Sequence, residues 1–321
     1  MLTRIEALIR RHRHRKDLHI TRSMGAIVVV SEGRVVEVDR TDALDYCPLQ
    51  RMLSDRDAAT YVEEKVRRFG HYTEKRELTR ETVAVPFGTS EMFMAALRKG
   101  IVDCAVTVCD GVGTVISASP EIVQGIGARM NGLFYTTPIP SVIAELRGLG
   151  CVVFDDARID QVRGYRAAVA TGYRRIALTA NGYHGERMAE LREVERSSGT
   201  TAFVAAICTS GVSDRRAREL ADSADLVWSC ASRRAREAGA HAILQVTHGI
   251  PIFVHTLRGL QIAAAYADER GAERLNAIGA DEQYILAAAV DGEAVRIGNR
   301  TLYLARATLP VPGRREPVPL L

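Results

Sequence analysis

From about residue 138 onward the chain alternates apolar runs of five to seven residues with amphipathic stretches. Strands are predicted at 151–155, 174–180, 202–208 and 225–230, and helices at 140–147, 160–171, 184–197, 213–223 and 231–239. A strand covered on both faces reads as an uninterrupted apolar run, and the helix that follows it supplies the cover, so this alternation marks βαβ units. The pattern predicts an α/β chain built on a mostly parallel sheet with helices on both faces. Two more strands, 242–246 and 251–255, and a helix at 257–269 extend it.

The flanks read differently. A polar helix over 2–15 precedes a β-hairpin whose strands, 26–31 and 34–39, flank Glu32-Gly33. A helix at 55–69 follows a Cys47-Pro48 loop. Another, capped by Thr89 or Ser90 and closed by Gly100, leads into a strand ending at Cys109. A second hairpin, 293–297 and 300–307 around Gly298-Asn299, is predicted to pack near the first. Residues 1–23 thus form a basic N-terminal helical segment, 24–309 a single α/β domain with a sub-boundary near 137, and 310–321 a Pro-rich tail.

With 321 residues, 47% of them apolar, the chain can bury a large core. Its best apolar run, Met24 to Val30, is seven residues long, far short of the roughly 18 needed to cross a bilayer. The basic N-terminal segment lacks the apolar stretch of about 7–15 residues that a signal peptide carries. These features predict a cytoplasmic protein with no membrane association, in which cysteines are free thiols or ligands rather than disulfides. The net charge of +4 sits largely in Arg10 to Lys16 and Arg314-Arg315, too narrow a face for nucleic acid. A homo-oligomer is left open.

Only four lysines, Lys16, Lys65, Lys75 and Lys99, stand against 39 arginines. All four lie in charged stretches expected to be exposed, which argues against a pyridoxal phosphate Schiff base. No dinucleotide fingerprint is present: Gly111-x-Gly113 and Gly125-x-Gly127 both lack the third small residue, and no phosphate-binding Gly-Lys-Ser/Thr loop occurs.

Three of the six cysteines close predicted strands: Cys109, Cys208 and Cys230. Ligands in open α/β sheets bind outside the carboxyl ends of the strands, so thiols repeated there point to one shared site. Cys109-Asp-Gly-Val-Gly-Thr114 combines a nucleophile, the Asp110 carboxylate and a loop in which Gly111, Gly113 and Thr114 offer backbone N–H groups to an anion. Cys208-Thr-Ser-Gly211 precedes a helix start at Ser213, where Thr209 and Ser210 form an anion cradle and the helix end favours the thiolate. His184 in Asn181-Gly-Tyr-His stands at the same edge as a proton carrier. His255, ending its strand, is placed there too, with His248 at the opposite edge. Arg129 is a candidate clamp for a sulfonate or carboxylate. Cys109, Cys208, Cys230 and His184, if the fold assembled them, would suit zinc or an iron–sulfur cluster, although no short metal-binding spacing is present.

At Cys47-Pro48-Leu49, Phe87-Gly-Thr-Ser-Glu91, Cys109-Asp-Gly-Val-Gly-Thr114, Val123-Gln-Gly-Ile-Gly127, Ala157-Arg-Ile-Asp-Gln161 and Cys230-Ala-Ser232 the chain resembles the methanogenesis marker protein 8 family, a domain of unknown function. The resemblance runs from about residue 24 to 270. The arginine excess points to a high-GC bacterial source, and bacteria that share methanogen chemistry include makers of coenzyme M. The resemblance therefore implies an enzyme acting on a small anionic sulfonate or thiol metabolite, in coenzyme M formation or handling, by sulfur transfer, thiol–disulfide reduction or decarboxylation. The alternative is a non-catalytic accessory or metal-carrying protein that matures a coenzyme-M-dependent enzyme.

Overall fold

The computed structural model describes residues 2–23, 26–39, 57–130, 132–183 and 187–313. Helix α1 (Leu2–His12) leads into β1 (Leu18–Ser23), β2 (Ala26–Ser31) and β3 (Arg34–Asp39). Helices α2 (Ala58–Phe69) and α3 (Thr89–Arg98) precede β4 (Cys104–Cys109), β5 (Gly113–Ser117), α4 (Pro120–Gly127), β6 (Leu133–Thr136), α5 (Pro140–Gly148) and β7 (Val152–Val153). The alternating region follows as α6 (Gln161–Ala170), β8 (Arg175–Asn181), α7 (Met188–Ser198), β9 (Thr201–Ile207), α8 (Asp214–Ser223), β10 (Leu226–Trp228) and α9 (Arg233–Ala238). The chain continues through β11 (Leu244–Val246), β12 (Ile252–Val254), α10 (Leu257–Ala265), α11 (Glu269–Asn276), β13 (Tyr284–Ala287), β14 (Glu293–Ile297) and β15 (Arg300–Arg306). The Cys47-Pro48 loop, His184 and the tail from 314 lie outside the described residues. No helix among the described residues is long and apolar enough to cross a membrane.

Strand parity explains the centre. On β4, β8 and β9, Ala105, Ala177, Phe203 and Ala205 point to one face and pack with Met92 and Phe93 of α3 and Leu260 and Ile262 of α10. Their neighbours Cys104, Val106, Ile176, Leu178, Ala202 and Val204 point to the other, against Val162 and Tyr165 of α6 and Leu191 of α7. Successive strand residues face opposite ways, so covering both faces requires the apolar run that the sequence displays. Small alanines at the crossing points let the helices approach. Ser213, Asp160 and Ser119 cap α8, α6 and α4 through side-chain acceptors. At α3 the cap is Gly88, with no side-chain hydrogen bond, rather than Thr89 or Ser90.

The large sheet has 11 strands in the order β14-β15-β13-β11-β12-β10-β9-β8-β4-β5-β7. It is mixed, not mostly parallel. The run β4-β8-β9-β10 is parallel, as is β11-β13. Pairings β4-β5, β5-β7, β10-β12, β11-β12, β13-β15 and β14-β15 are antiparallel. Periodicity reports burial, not direction: β5 returns from β4 through a tight turn, and β12 returns from β11 with too few residues for a crossover. The C-terminal hairpin forms the edge of this sheet, whereas the N-terminal hairpin joins a separate antiparallel sheet, β3-β2-β1-β6. The two hairpins therefore belong to different sheets. Strand β1 lies in the segment expected to be purely helical and basic; its Leu-His-Ile-Thr-Arg-Ser sequence is wholly buried, yet too polar to read as a strand.

Two glycines mark where the backbone decides. Gly113 (φ +74°) opens β5, and a Cβ there would stand 2.3 Å from the Ala157 carbonyl oxygen, whereas Gly150 (φ +82°) has nothing within 4 Å. Both substitutions to alanine carry the left-handed strain of about 1 kcal/mol, and only Gly113→Ala adds a backbone clash. Urea unfolding is expected to show Gly150→Ala weakened by about 1 kcal/mol and Gly113→Ala by about 3 kcal/mol or more; equal losses would contradict the packing of the 157–161 segment on this turn.

Candidate functional site

The parallel register sets the C-terminal edge. Asn181 of β8 pairs with Ile207 of β9, and Val227 of β10 with Ala206. Continuing that register puts Cys208 beside Ser229 and one residue short of Cys230. Both cysteines adopt left-handed backbone, φ +57° at Cys208 and φ +47° at Cys230, a conformation that costs an L-residue about 1–2 kcal/mol and gathers at functional turns. The two loops are laced together: Thr209 Oγ1 donates to the Trp228 carbonyl at 2.5 Å, and the Ala231 amide donates to Ser210 Oγ at 3.0 Å. Thr209 and Ser210, expected to cradle an anion, thus spend these hydroxyl contacts fixing the thiol loops.

Around the thiols stand groups from both sheets. Gly132, just before β6, lies against Cys208: a Cβ there would be 2.9 Å from its Sγ and 3.1 Å from Asn181 Nδ2. Arg22 of β1 donates to the Ser210 carbonyl at 3.0 Å, and its guanidinium lies 5.1 Å from the centre of the Tyr183 ring. Burial pushes the Tyr183 hydroxyl's pKa up, Arg22 opposes that shift, and Cys230 and Cys208 reinforce it. One phenol thus feels both thiols and one guanidinium. Cys208 and Cys230 are half-buried, while Cys104, Cys109 and Cys151 are buried. His184, next in the chain after Tyr183, is outside the described residues.

Cys109 does not join this pair. Its side chain packs with Val112, Val115, Ile122, Ile126 and Ile139, and its thiol donates to the Asp110 carbonyl at 3.4 Å. Burial, then the Asp110 charge, raise its pKa far above the ordinary thiol range; burial lifts Cys104 to about 12. A thiol so held is protonated and unreactive at neutral pH. The loop after it is a hairpin turn whose amides are already used: Gly111 donates to Thr136 Oγ1 at 2.7 Å, Val112 to the Cys109 carbonyl, and Thr114 to the Arg158 carbonyl at 3.1 Å. Gly113 meets the 157–158 backbone, and the Thr114 hydroxyl joins Gln161 Oε1 and the Asp160 amide. The Cys-Asp-Gly-Val-Gly-Thr segment therefore shapes the sheet edge instead of presenting an anion cradle.

Asp110 turns inward. One oxygen accepts from Arg76 Nε at 2.9 Å, the other from the Tyr72 amide, and Arg76 goes on to the Ile126 carbonyl at 2.9 Å. Burial would raise the Asp110 pKa, but Arg76 and His71 hold it well below the usual carboxylate range. It is a fixed charge, not a proton carrier. Beside it His71 Nδ1 faces Oδ1 at 3.5 Å, while its Nε2 has no hydrogen-bond partner. Lys65, expected to be exposed, is buried and donates to the Arg129 carbonyl at 2.5 Å; the exposure argument against a Schiff-base lysine fails at this residue. Arg129 itself, in left-handed backbone (φ +60°), lies with its guanidinium 4.4 Å from the centre of the Phe69 ring.

The antiparallel β12 also reverses the two histidines. The His255 amide donates to the Asp225 carbonyl at 2.9 Å, at the N-terminal edge of β9 and β10. His248 follows β11 on the edge that carries Cys230, where Arg236 bridges the Cys230 and Gly249 carbonyls at 3.4 and 3.0 Å. No group of three or more His, Cys, Asp or Glu able to hold a metal occurs among the described residues. Sequence reasoning missed Arg22, Lys65, His71 and Arg76; none sits in a motif, and only the rarity of lysine singled out Lys65.

A mixed α/β protein with a thiol pair at the parallel edge and a buried polar cluster behind the first hairpin is what these elements define. The family model for uncharacterized proteins conserved in archaea, DUF2099, matches residues 19–267, and the chain belongs to that family. It is similar to the uncharacterized protein MJ0054 of Methanocaldococcus jannaschii, with 33% identity over 259 residues, 77% of this chain and 89% of the relative. No solved structure matches it.

Buried histidines fix a pH dependence. Burial lowers His19 and His71 from 6.5 to about 4, and His255 likewise. Between those values the unfolded chain binds more protons than the folded one, so this stability is full above about pH 6.5 and is lost as pH falls toward about 4, at about 1 kcal/mol per pH unit for each histidine. Urea midpoints measured from pH 7 to 4.5 should fall accordingly, and the H19Q/H71Q variant should retain only the shallower slope due to His255. An unchanged slope in that variant would show that these rings are not buried neutral.

Proposed function

We propose that this chain is an enzyme that performs thiol–disulfide chemistry on a small anionic metabolite, with Cys208 and Cys230 as the working pair. The supporting observation is the arrangement at the strand ends: the two half-buried cysteines sit in left-handed turns on adjacent loops, beside Tyr183 and Arg22, while Cys104, Cys109 and Cys151 are buried. The Arg22 guanidinium beside the pair attracts an anionic substrate. One thiolate attacks a substrate disulfide sulfur, forming a mixed disulfide and expelling the first substrate thiolate. The second cysteine attacks the protein sulfur of that mixed disulfide, which expels the second thiolate and leaves a Cys208–Cys230 disulfide. An external dithiol returns the pair to the reduced form.

The resemblance to methanogenesis marker protein 8 makes coenzyme M, a thiol sulfonate, the first substrate to examine. Anaerobically purified protein offered the symmetric disulfide of coenzyme M is expected to release two thiols per chain. The single variant that keeps the attacking cysteine should release one thiol and accumulate the mixed disulfide on it, and neither C208S nor C230S should release two. Release that is unchanged in the C208S/C230S variant, or absent in the wild type, would overturn the reading, and co-purification of stoichiometric metal with a stable protein partner would replace it with the accessory role.

A further inference from the structure

The cluster behind the first hairpin has chemistry that the thiol pair does not use. Lys65 is 3% exposed, on the inner face of α2. Its amine meets a neutral carbonyl, that of Arg129, and the Tyr61 ring, whose centre is 4.6 Å away. The nearest carboxylate in the cluster, Asp110, has one oxygen on Arg76 and the other on the Tyr72 amide, so its charge is already matched. Arg76 and Arg129 act on Lys65 as like charges, and Asp110 opposes them. Burial, the largest effect, and the two guanidinia outweigh that carboxylate and disfavour the ammonium form, which is how enzymes keep a lysine nucleophilic.

Arg129 closes the other side. It is half-buried, so the cluster reaches the surface there, and its Nε is buried with no hydrogen-bond partner. The His71 ring, 1% exposed, turns Nδ1 toward Asp110 and leaves Nε2 without a hydrogen-bond partner, and Lys65 acts on the ring as a like charge. Buried donors and acceptors are normally satisfied, so open ones grouped around an amine point to a ligand with oxygen atoms.

We propose that Lys65 is an imine-forming amine for a small carbonyl compound bearing an anionic group, which Arg129 holds. The Lys65 lone pair attacks the carbonyl carbon, and the C=O π pair moves to oxygen. The nitrogen loses two protons, the oxygen gains them and leaves as water, and a C=N bond remains. His71, neutral at physiological pH, is the group placed to carry the proton. Burial and the adjacent arginines lower the Lys65 pKa to about 7, in accord with this role. The inference stands apart from the thiol chemistry, and either can fail alone.

Three exposed lysines, Lys16, Lys75 and Lys99, serve as internal controls. The full chain is incubated at neutral pH with glyoxylate and cyanoborohydride, and the carboxymethylated lysines are mapped by mass spectrometry against time. Lys65 is expected to be labelled at least about ten-fold faster than the other three, since burial favours its neutral, nucleophilic amine. In Arg129→Gln labelling should fall for both aldehydes, because one like charge beside Lys65 is gone, and fall several-fold further for glyoxylate than for neutral propionaldehyde, because the anion clamp is gone as well. Labelling of Lys65 no faster than of the exposed lysines would overturn the proposal, and so would an equal effect of Arg129→Gln on both aldehydes.

Discussion

The buried Asp110–Arg76 pair is the interaction on which the rest depends. It ties the turn between β4 and β5 to the 70–77 segment and, through the Ile126 carbonyl, to the end of α4. Removing one partner of such a pair leaves an uncompensated charge, at a cost of about 3–5 kcal/mol. The Tyr72 amide completes it, and His19, His71 and Tyr72 stack beside it with ring centres 5.3 and 5.7 Å apart. Because His19 belongs to β1, the same cluster holds the small sheet against the large one. That docking brings Arg22, on the same strand, to the loop after β9.

Two chemical environments follow from one architecture. At the parallel edge, half-buried thiols sit beside a guanidinium and a phenol. Behind the first hairpin, cations and neutral histidines are enclosed with fewer acceptors than they can use. The opposite edge has a different character: Asp225 is buried, but Arg192, Thr256 and the Val204 amide all satisfy it. A fully bonded carboxylate is a structural clamp, and its contrast with the open nitrogens of His71 and Arg129 is what separates scaffold from candidate chemistry.

The sequence made the central strands and their helices legible, because covering both sheet faces forces apolar runs whose spacing survives any detail of the fold. Strand direction was not legible, since β12 is as apolar antiparallel as it would be parallel, and this reversed the placement of His248 and His255. The strand β1 was hidden for a related reason: its polar residues are buried by partners distant in sequence, His19 on Thr136 and Arg22 on Ser210. Strand-end cysteines could be read from the chain, but their fates could not. Cys109 and Cys208 both close apolar runs of the parallel set, and only the packing of α4 and α5 over Cys109 separates an inert thiol from one that faces Gly132 and Tyr183.

Rate-resolved alkylation of the native, reduced protein, with each cysteine followed by mass spectrometry, tests the central claim most directly. Cys208 and Cys230 are expected to react with iodoacetamide in the folded chain, while Cys104, Cys109 and Cys151 react only after unfolding. Reaction of Cys109 as fast as Cys208, or protection of all five until denaturation, would contradict the assignment of the thiol pair.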